Sequence, residues 1–299
     1  MNQPFIDPNI DRKKEIVKKN VKILKGYPKP AIVEFNLSGL CNRTCEFCPR
    51  ADPNVFPNTN EFFEISLYEK ILSDLKGISY DSRIVFSAFS EPLLHKKLEA
   101  FISLSKKYLP SVGVEVVSNG DFVTPQRLKT LFEAGLNLIS VSMYDGPQQI
   151  DKFLQMKEEC HLRDDQFILR RRYFEDGNIG ITLSNRAGLA KIEGFHSEVE
   201  TDQPLPLKHP CFYPYYLSLI DHTGNMLLCT HDWSKSVVVG NLAEENFWDL
   251  WCSRRLDVIR ESLGRGDRNF KPCDHCDVIG TLMGRENYLA WEEQYNATQ

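Results

Sequence analysis

Between residues 31 and 174, short β-rich apolar runs alternate with amphipathic stretches of helical length, and this rhythm leaves few architectures open to the chain. AIVEFN (31–36), RIVFSA (83–88), VGVEVVSN (112–119), NLISVSM (137–143) and QFILRRRYF (166–174) read as strands. LYEKILSDL, starting near residue 67 behind a Ser66–Glu69 capping box, reads as a helix, as do 96–108, 125–135 and 147–159. Such alternation implies right-handed βαβ units and a parallel sheet, open or closed into a barrel, so the fold class is α/β. In these sheets ligands sit at the carboxyl ends of the strands.

The rhythm stops around residues 189–210, where TDQPLPLKHP (201–210) reads as a linker. Beyond it, YYLSLIDHTGNMLLC (215–229) reads as a hairpin around a His-Thr-Gly-Asn turn, and Phe247 to Leu263 as one amphipathic helix. This last third is expected to form a second, smaller unit, and it holds five of the nine cysteines. No apolar run approaches the roughly 18 residues of a membrane span, and MNQPFIDPNIDRKK lacks the apolar core of a secretory signal, so a cytoplasmic protein with no membrane partner is expected. A net charge of −5 argues against binding nucleic acid through phosphate contacts. The basic run from Arg12 to Lys25 reads as the solvated face of an N-terminal helix.

A reducing compartment disfavours a disulfide framework for nine cysteines, which leaves metal or catalytic duty. Cys41, Cys45 and Cys48 are spaced C-x3-C-x2-C in the loop after the first strand of the repeat. A structural zinc site wants four ligands, and no fourth Cys or His lies nearby. Three thiolates on a four-iron cluster leave one iron open to a small molecule.

With Phe47 before the third cysteine, this motif at the head of a βα repeat resembles the radical S-adenosylmethionine (SAM) superfamily. The resemblance implies a partial (βα)6 barrel whose [4Fe–4S] cluster binds SAM and yields a 5′-deoxyadenosyl radical. It also implies flavodoxin or ferredoxin as electron donor. SAFSEP (87–92) resembles the family's glycine-glycine-glutamate-like segment, which makes Ser87 and Glu91 SAM contacts, although Ser-Ala-Phe-Ser stands where the family has glycines. Ser118, Asn119 and Ser142, at later strand ends, correspond to positions that touch ribose or carboxylate. Arg170, Arg171 and Arg172 alternate in direction, so one or two face the barrel interior, where a guanidinium needs an anion. Arg171 is the expected cofactor ligand.

Cys211, Cys229 and the Cys273–Cys276 pair, with Gly224 between the first two in a C-x12-G-x4-C spacing, form a closed four-thiol set, for which zinc is the default in isolation. Their spacing resembles the twitch domain, a shortened SPASM extension that holds an auxiliary [4Fe–4S] cluster. The expected division is an N-terminal helical extension (1–28), a radical SAM core (29–200) and a twitch domain of β-hairpin plus helix (205–299). Phrases such as SNRAGL (184–189) and LIDHTGNMLLCTHDW (219–233) resemble a subgroup of aminoglycoside and surface-sugar pathways that includes an epimerase and a dehydrogenase.

The resemblance therefore implies a hydroxylated small-molecule substrate, a sugar, aminocyclitol or nucleotide sugar, attacked at a carbinol C–H. Epimerisation needs a hydrogen-atom donor, and Cys252, on the apolar face of the 247–263 helix with Trp248, Leu256 and Ile259, is the expected one. Cys160 is expected to be packing only. Arg186, among Asn, Ala and Gly, is the expected substrate grip and an aid to deprotonation; Phe62, Phe63 and Tyr144 are candidate cavity walls. The alternatives are a dehydrogenase that makes a ketone, a peptide-modifying enzyme and, remotely, a two-zinc binding protein.

Overall fold

The computed structural model describes residues 7–175, 183–190 and 204–297. Helix α1 (Asn9–Lys19) and a ribbon of β1 (Ile23–Leu24) and β2 (Tyr27–Pro28) precede the repeat. There follow β3 (Ile32–Phe35), α2 (Ile65–Gly77), β4 (Arg83–Phe86), α3 (Leu98–Tyr108), β5 (Gly113–Ser118), α4 (Pro125–Glu133), β6 (Leu138–Met143), α5 (Gln149–Glu159) and β7 (Phe167–Arg171). Further on come α6 (Tyr213–Tyr216), β8 (Leu217–Ile220), β9 (Asn225–Leu227), β10 (Val238–Asn241), α7 (Phe247–Trp251), α8 (Arg254–Gly264) and α9 (Arg285–Ala297). All five strands and four helices expected of the repeat are present.

One sheet carries the order β10-β9-β8-β3-β4-β5-β6-β7. Strands β3 to β7 run parallel, and β8 adds parallel to β3 on the opposite side. The expected hairpin thus extends the core sheet through β8, with β9 and β10 antiparallel beyond it. Helices α2 to α5 pack side by side on one face, so the strands are buried on both sides and read as nearly continuous apolar runs. Phe35, Tyr68, Phe86 and Phe101 meet in edge and tilted contacts between sheet and helices.

Three local expectations are corrected. Helix α2 starts at Ile65 with Glu64 as its N-cap, so Ser66 is already helical and no capping box forms. The stretch 247–263 is two helices: α7 stops at Trp251, Cys252 is its C-cap, and Ser253 begins α8 by accepting a hydrogen bond from the Leu256 amide (3.3 Å). The N-terminal helix is no free solvated rod. It lies on the sheet face opposite α2–α5, where Arg12 forks onto Glu115 of β5 (2.7 and 2.6 Å) and Asn9 donates to Ser140 of β6 (2.7 Å). Ahead of it, Asp7 pairs with Arg172 at 2.6 Å. Lys14 and Lys19 remain on the outer side, as expected for the basic run. Most of the expected linker, 204–210, is described, and 201–203 lie outside the described residues.

Candidate active site

A cavity of about 250 Å³ opens at the carboxyl ends of the strands. The triplet enters it from the β3–α2 loop. Arg50, directly after Cys48 and Pro49, staples that loop: its buried guanidinium donates to the carbonyls of Phe89 (2.8 Å) and Gly39 (3.1 Å) and to Asn58 Oδ1 (2.6 Å). Asn58 in turn accepts from the Cys41 amide at 2.9 Å. Arg43 ties the loop to the ends of β5 and β6 through Asp121 (2.5 Å) and Asp145 (2.7 Å). Phe47 stacks on Tyr144 with ring centroids 6.2 Å apart.

Burial pushes all three thiols up, Cys45 to about 12, and the neighbouring thiolates add to the shift at Cys45. Such a set gives up its protons only to strongly bound metal. Glu91 lies at the floor, where its carboxylate accepts from the Asn119 amide (2.7 Å), the Leu93 amide (3.0 Å) and Ser118 Oγ (2.9 Å). Burial pushes Glu91 up to about 7, against the pull of these donors. Ser87 donates to Glu34 on β3 at 2.6 Å, and Asn119 Nδ2 donates to Asn42 at 2.8 Å, 4.0 Å from Cys41 Sγ.

The structure therefore brings Cys41, Cys45, Cys48, Phe47, Ser87, Glu91, Ser118, Asn119, Ser142 and Arg186 around one cavity, with Tyr144 in its wall. Phe62 and Phe63 do not line it: Phe63 is in the core and Phe62 packs against His95. Arg171 is a correction. On β7 it shares its face with Phe167 and Leu169, beneath the helices, where it pairs with Glu175 at 2.9 Å. Its neighbours Arg170 and Arg172 line the cavity instead. Arg170 Nη2 donates to Ser142 (2.8 Å), while its buried Nε and the hydroxyl of Ser90 have no partner among the described residues. Unmatched donors beside three thiols fit a ligand with an anionic group, as the carboxylate of SAM supplies.

Cys252 is the other correction. It lines neither this cavity nor the smaller one around the C-terminal thiols. The break in the helix leaves it beside Trp251, whose indole donates to the Pro28 carbonyl (2.8 Å), just ahead of β3 and so at the opposite end of that strand. Cys160, at the end of α5, donates to the Pro125 carbonyl as a packed side chain.

Cys211, Cys229, Cys273 and Cys276 converge on a second, smaller cavity. Gly280 passes so close to Cys211 that a Cβ there would lie 2.5 Å from its sulfur, and its φ of +78° also demands glycine. Burial and mutual repulsion push Cys276 up to about 12 and Cys229 well above the usual thiol range. Among the described residues no three His, Cys, Asp or Glu groups are spaced to hold a single ion. Four buried thiols around one cavity supply a closed ligand set for a metal centre. Residues 35–160 match the Radical SAM superfamily, and residues 211–277 match the SPASM iron–sulfur cluster-binding domain.

The chain belongs to the radical SAM superfamily. Its cofactors are SAM and [4Fe–4S] clusters, one SAM-binding and one auxiliary. The S-adenosyl-L-methionine-dependent 2-deoxy-scyllo-inosamine dehydrogenase of Niallia circulans is 27% identical over 269 residues, spanning 89% of this chain and 97% of its own. A GTP 3′,8-cyclase of Campylobacter curvus is 30% identical over 132 residues, 43% of this chain and 39% of its own. The crystal structure of BtrN in complex with AdoMet and 2-DOIA superposes with a TM-score of 0.70 at 25% identity, covering 87% of this chain and 98% of that one. A structure of anSMEcpe with bound AdoMet shares the fold, with a TM-score of 0.55 at 13% identity, covering 90% of this chain and 93% of that one. Among the described residues, no helix of this radical SAM enzyme is long and apolar enough to cross a membrane.

Sequence reasoning missed Arg43, Arg50 and Trp233 in the wall, and from the arginine run it chose Arg171 where Arg170 and Arg172 line the cavity. The signal for Arg50 was its place right after the last cysteine of the triplet. Nothing local announced Trp233, which reaches the wall by packing on Phe56 and Phe89 at 4.8 and 4.7 Å.

Proposed function

We propose that this radical SAM enzyme is a dehydrogenase that oxidises a secondary alcohol of an aminocyclitol to a ketone. The observation that carries the reading is the thiol inventory of the cavity: its described lining holds no cysteine beyond the triplet, so an epimerase's hydrogen-atom donor is missing. Cys252, expected to fill that role, is at the far end of the fold. The likeness to the Niallia circulans enzyme, over nearly all of that protein's length, supports the same choice and the substrate class.

When bound, SAM and the open cluster supply hydrogen-atom abstraction from an unactivated C–H, and the auxiliary cluster supplies an acceptor for the second electron. The chain's own residues hold and shield. Glu91, Ser118 and Asn119 form the cofactor's polar floor, and Arg170 and Arg172 present cationic groups from β7. Arg186 enters between the triplet and the auxiliary site, where a guanidinium hydrogen-bonded to a substrate hydroxyl favours its deprotonation. The alcohol then loses one hydrogen atom to the radical, one proton from oxygen and one electron, which balances to a ketone. Flavodoxin or ferredoxin is the proposed source of the initiating electron.

The test is anaerobic turnover of 2-deoxy-scyllo-inosamine by the reconstituted protein. We expect 5′-deoxyadenosine and a product lighter by two hydrogens, read by mass spectrometry. A product of unchanged mass that takes deuterium from solvent at carbon would mean epimerisation and would refute the reading.

A further inference from the structure

The segment Ser184–Ala190 is a partition between the two cavities. Arg186 lines the larger one and the very next residue, Ala187, lines the auxiliary one. The backbone turns through three successive left-handed residues, Arg186 (φ 49°), Ala187 (φ 56°) and Gly188 (φ 87°). Two of these are not glycine, and such conformations persist only where surrounding contacts over-determine them.

Those contacts come from the auxiliary-cluster side. Asp277, directly after Cys276, accepts the Asn185 amide on both carboxylate oxygens (3.0 and 2.9 Å). Asn185 Nδ2 donates to the His275 carbonyl (2.9 Å), and its Oδ1 accepts from the Gly188 amide (3.1 Å). His231, two residues after Cys229, meets the Arg186 guanidinium and Ser184 Oγ at Nδ1, each at 3.2 Å. Its Nε2 faces Tyr213 Oη, also at 3.2 Å. With Nδ1 accepting from Arg186, Nε2 carries the proton and donates to the tyrosine oxygen.

We propose that Ser184–Ala190 is a strap through which the auxiliary-cluster lobe sets Arg186 in the substrate cavity, with His231 and Asp277 as its positioning residues. The auxiliary ligand loops then have a second duty beside holding iron: they fix the guanidinium that meets the substrate. This rests on the dehydrogenase reading only for the identity of the substrate, since the strap's geometry is independent of it.

The experiment compares reconstituted wild type with Asp277→Ala, Asp277→Glu, His231→Phe and Asn185→Ala. Iron counting and SAM titration come first. A variant qualifies if it keeps about eight irons per chain, as two four-iron clusters require. Asn185→Ala, which lies in the strap itself and is not adjacent in sequence to a cysteine, guards against cluster loss in the others.

Hydrogen exchange of the peptide spanning 183–190 is expected to speed up about tenfold in Asp277→Ala and Asn185→Ala, with partial recovery in Asp277→Glu. With 2-deoxy-scyllo-inosamine, KM should rise about tenfold in His231→Phe while SAM affinity stays at the wild-type value. Wild-type exchange in both Asp277→Ala and Asn185→Ala overturns the strap. Faster exchange with unchanged KM overturns its hold on Arg186. If the wild type leaves 2-deoxy-scyllo-inosamine untouched, the substrate assignment fails, and exchange alone decides the strap.

Discussion

The two thiol sites are built in opposite ways. The triplet is a single loop whose three sulfurs lie within eight residues, pinned by Arg50 below and Arg43 at the rim. The auxiliary set draws one thiol from before α6, one from after β9 and two from a single turn after α8, and it holds together only because those elements pack. One thiol fewer at the triplet leaves room for SAM, whereas the complete auxiliary set leaves room only for an electron or a supporting role. The contrast teaches that one site is written in a single loop while the other depends on assembly, and Ser184–Ala190 lies between them, with Arg186 lining the first cavity and Ala187 the second.

Four substitutions can break or sharpen that contrast. Cys48→Ala should have the largest effect: iron falls by about four per chain and 5′-deoxyadenosine formation drops to background, both readable anaerobically by iron assay and chromatography. Cys276→Ala should lose a similar amount of iron and all ketone formation yet still cleave SAM; a variant that keeps making ketone would remove the auxiliary site from the electron path. Next comes Asp7→Ala, which removes the carboxylate that pairs with the buried Arg172 beside the cavity. A cost of about 3 kcal/mol in denaturant unfolding is expected, in line with breaking a buried pair. A loss of only a few tenths would mean that other contacts of Arg172 neutralise it. Cys252→Ala should do least, keeping kcat/KM within about twofold and costing about 1 kcal/mol of stability, the ordinary effect of trimming a half-buried side chain. Collapse of turnover in that variant would return the thiol to the mechanism.

How far the sequence carried the reading varies with range. The alternation of β-rich runs and helices marked the repeat because period and punctuation are local, and the ends of β3 to β7 moved by only a few residues. Face assignments were harder. Three consecutive arginines must alternate, but which parity faces the cavity depends on where α5 covers β7, and that put Arg170 and Arg172 inside and Arg171 outside. The continuous apolar face drawn through Cys252 failed at one residue, because Ser253 accepts the Leu256 amide and restarts the helix. The N-terminal helix had a solvated-face pattern in sequence, yet Glu115 and Ser140, more than a hundred residues on, recruit Arg12 and Asn9 to the sheet.

By itself, then, the sequence determined the cofactor chemistry and the α/β repeat, since both reside in short-range spacing: three thiols on one loop, and hydrophobic periods of two and of 3.6 residues. Only the tertiary structure decided that β8 joins the core sheet, that Cys252 stays out of the site, and that Arg170 and Arg172 line it while Arg171 does not. The physical reason is that orientation across a sheet and convergence between elements are set by packing, which residue spacing along one segment does not encode.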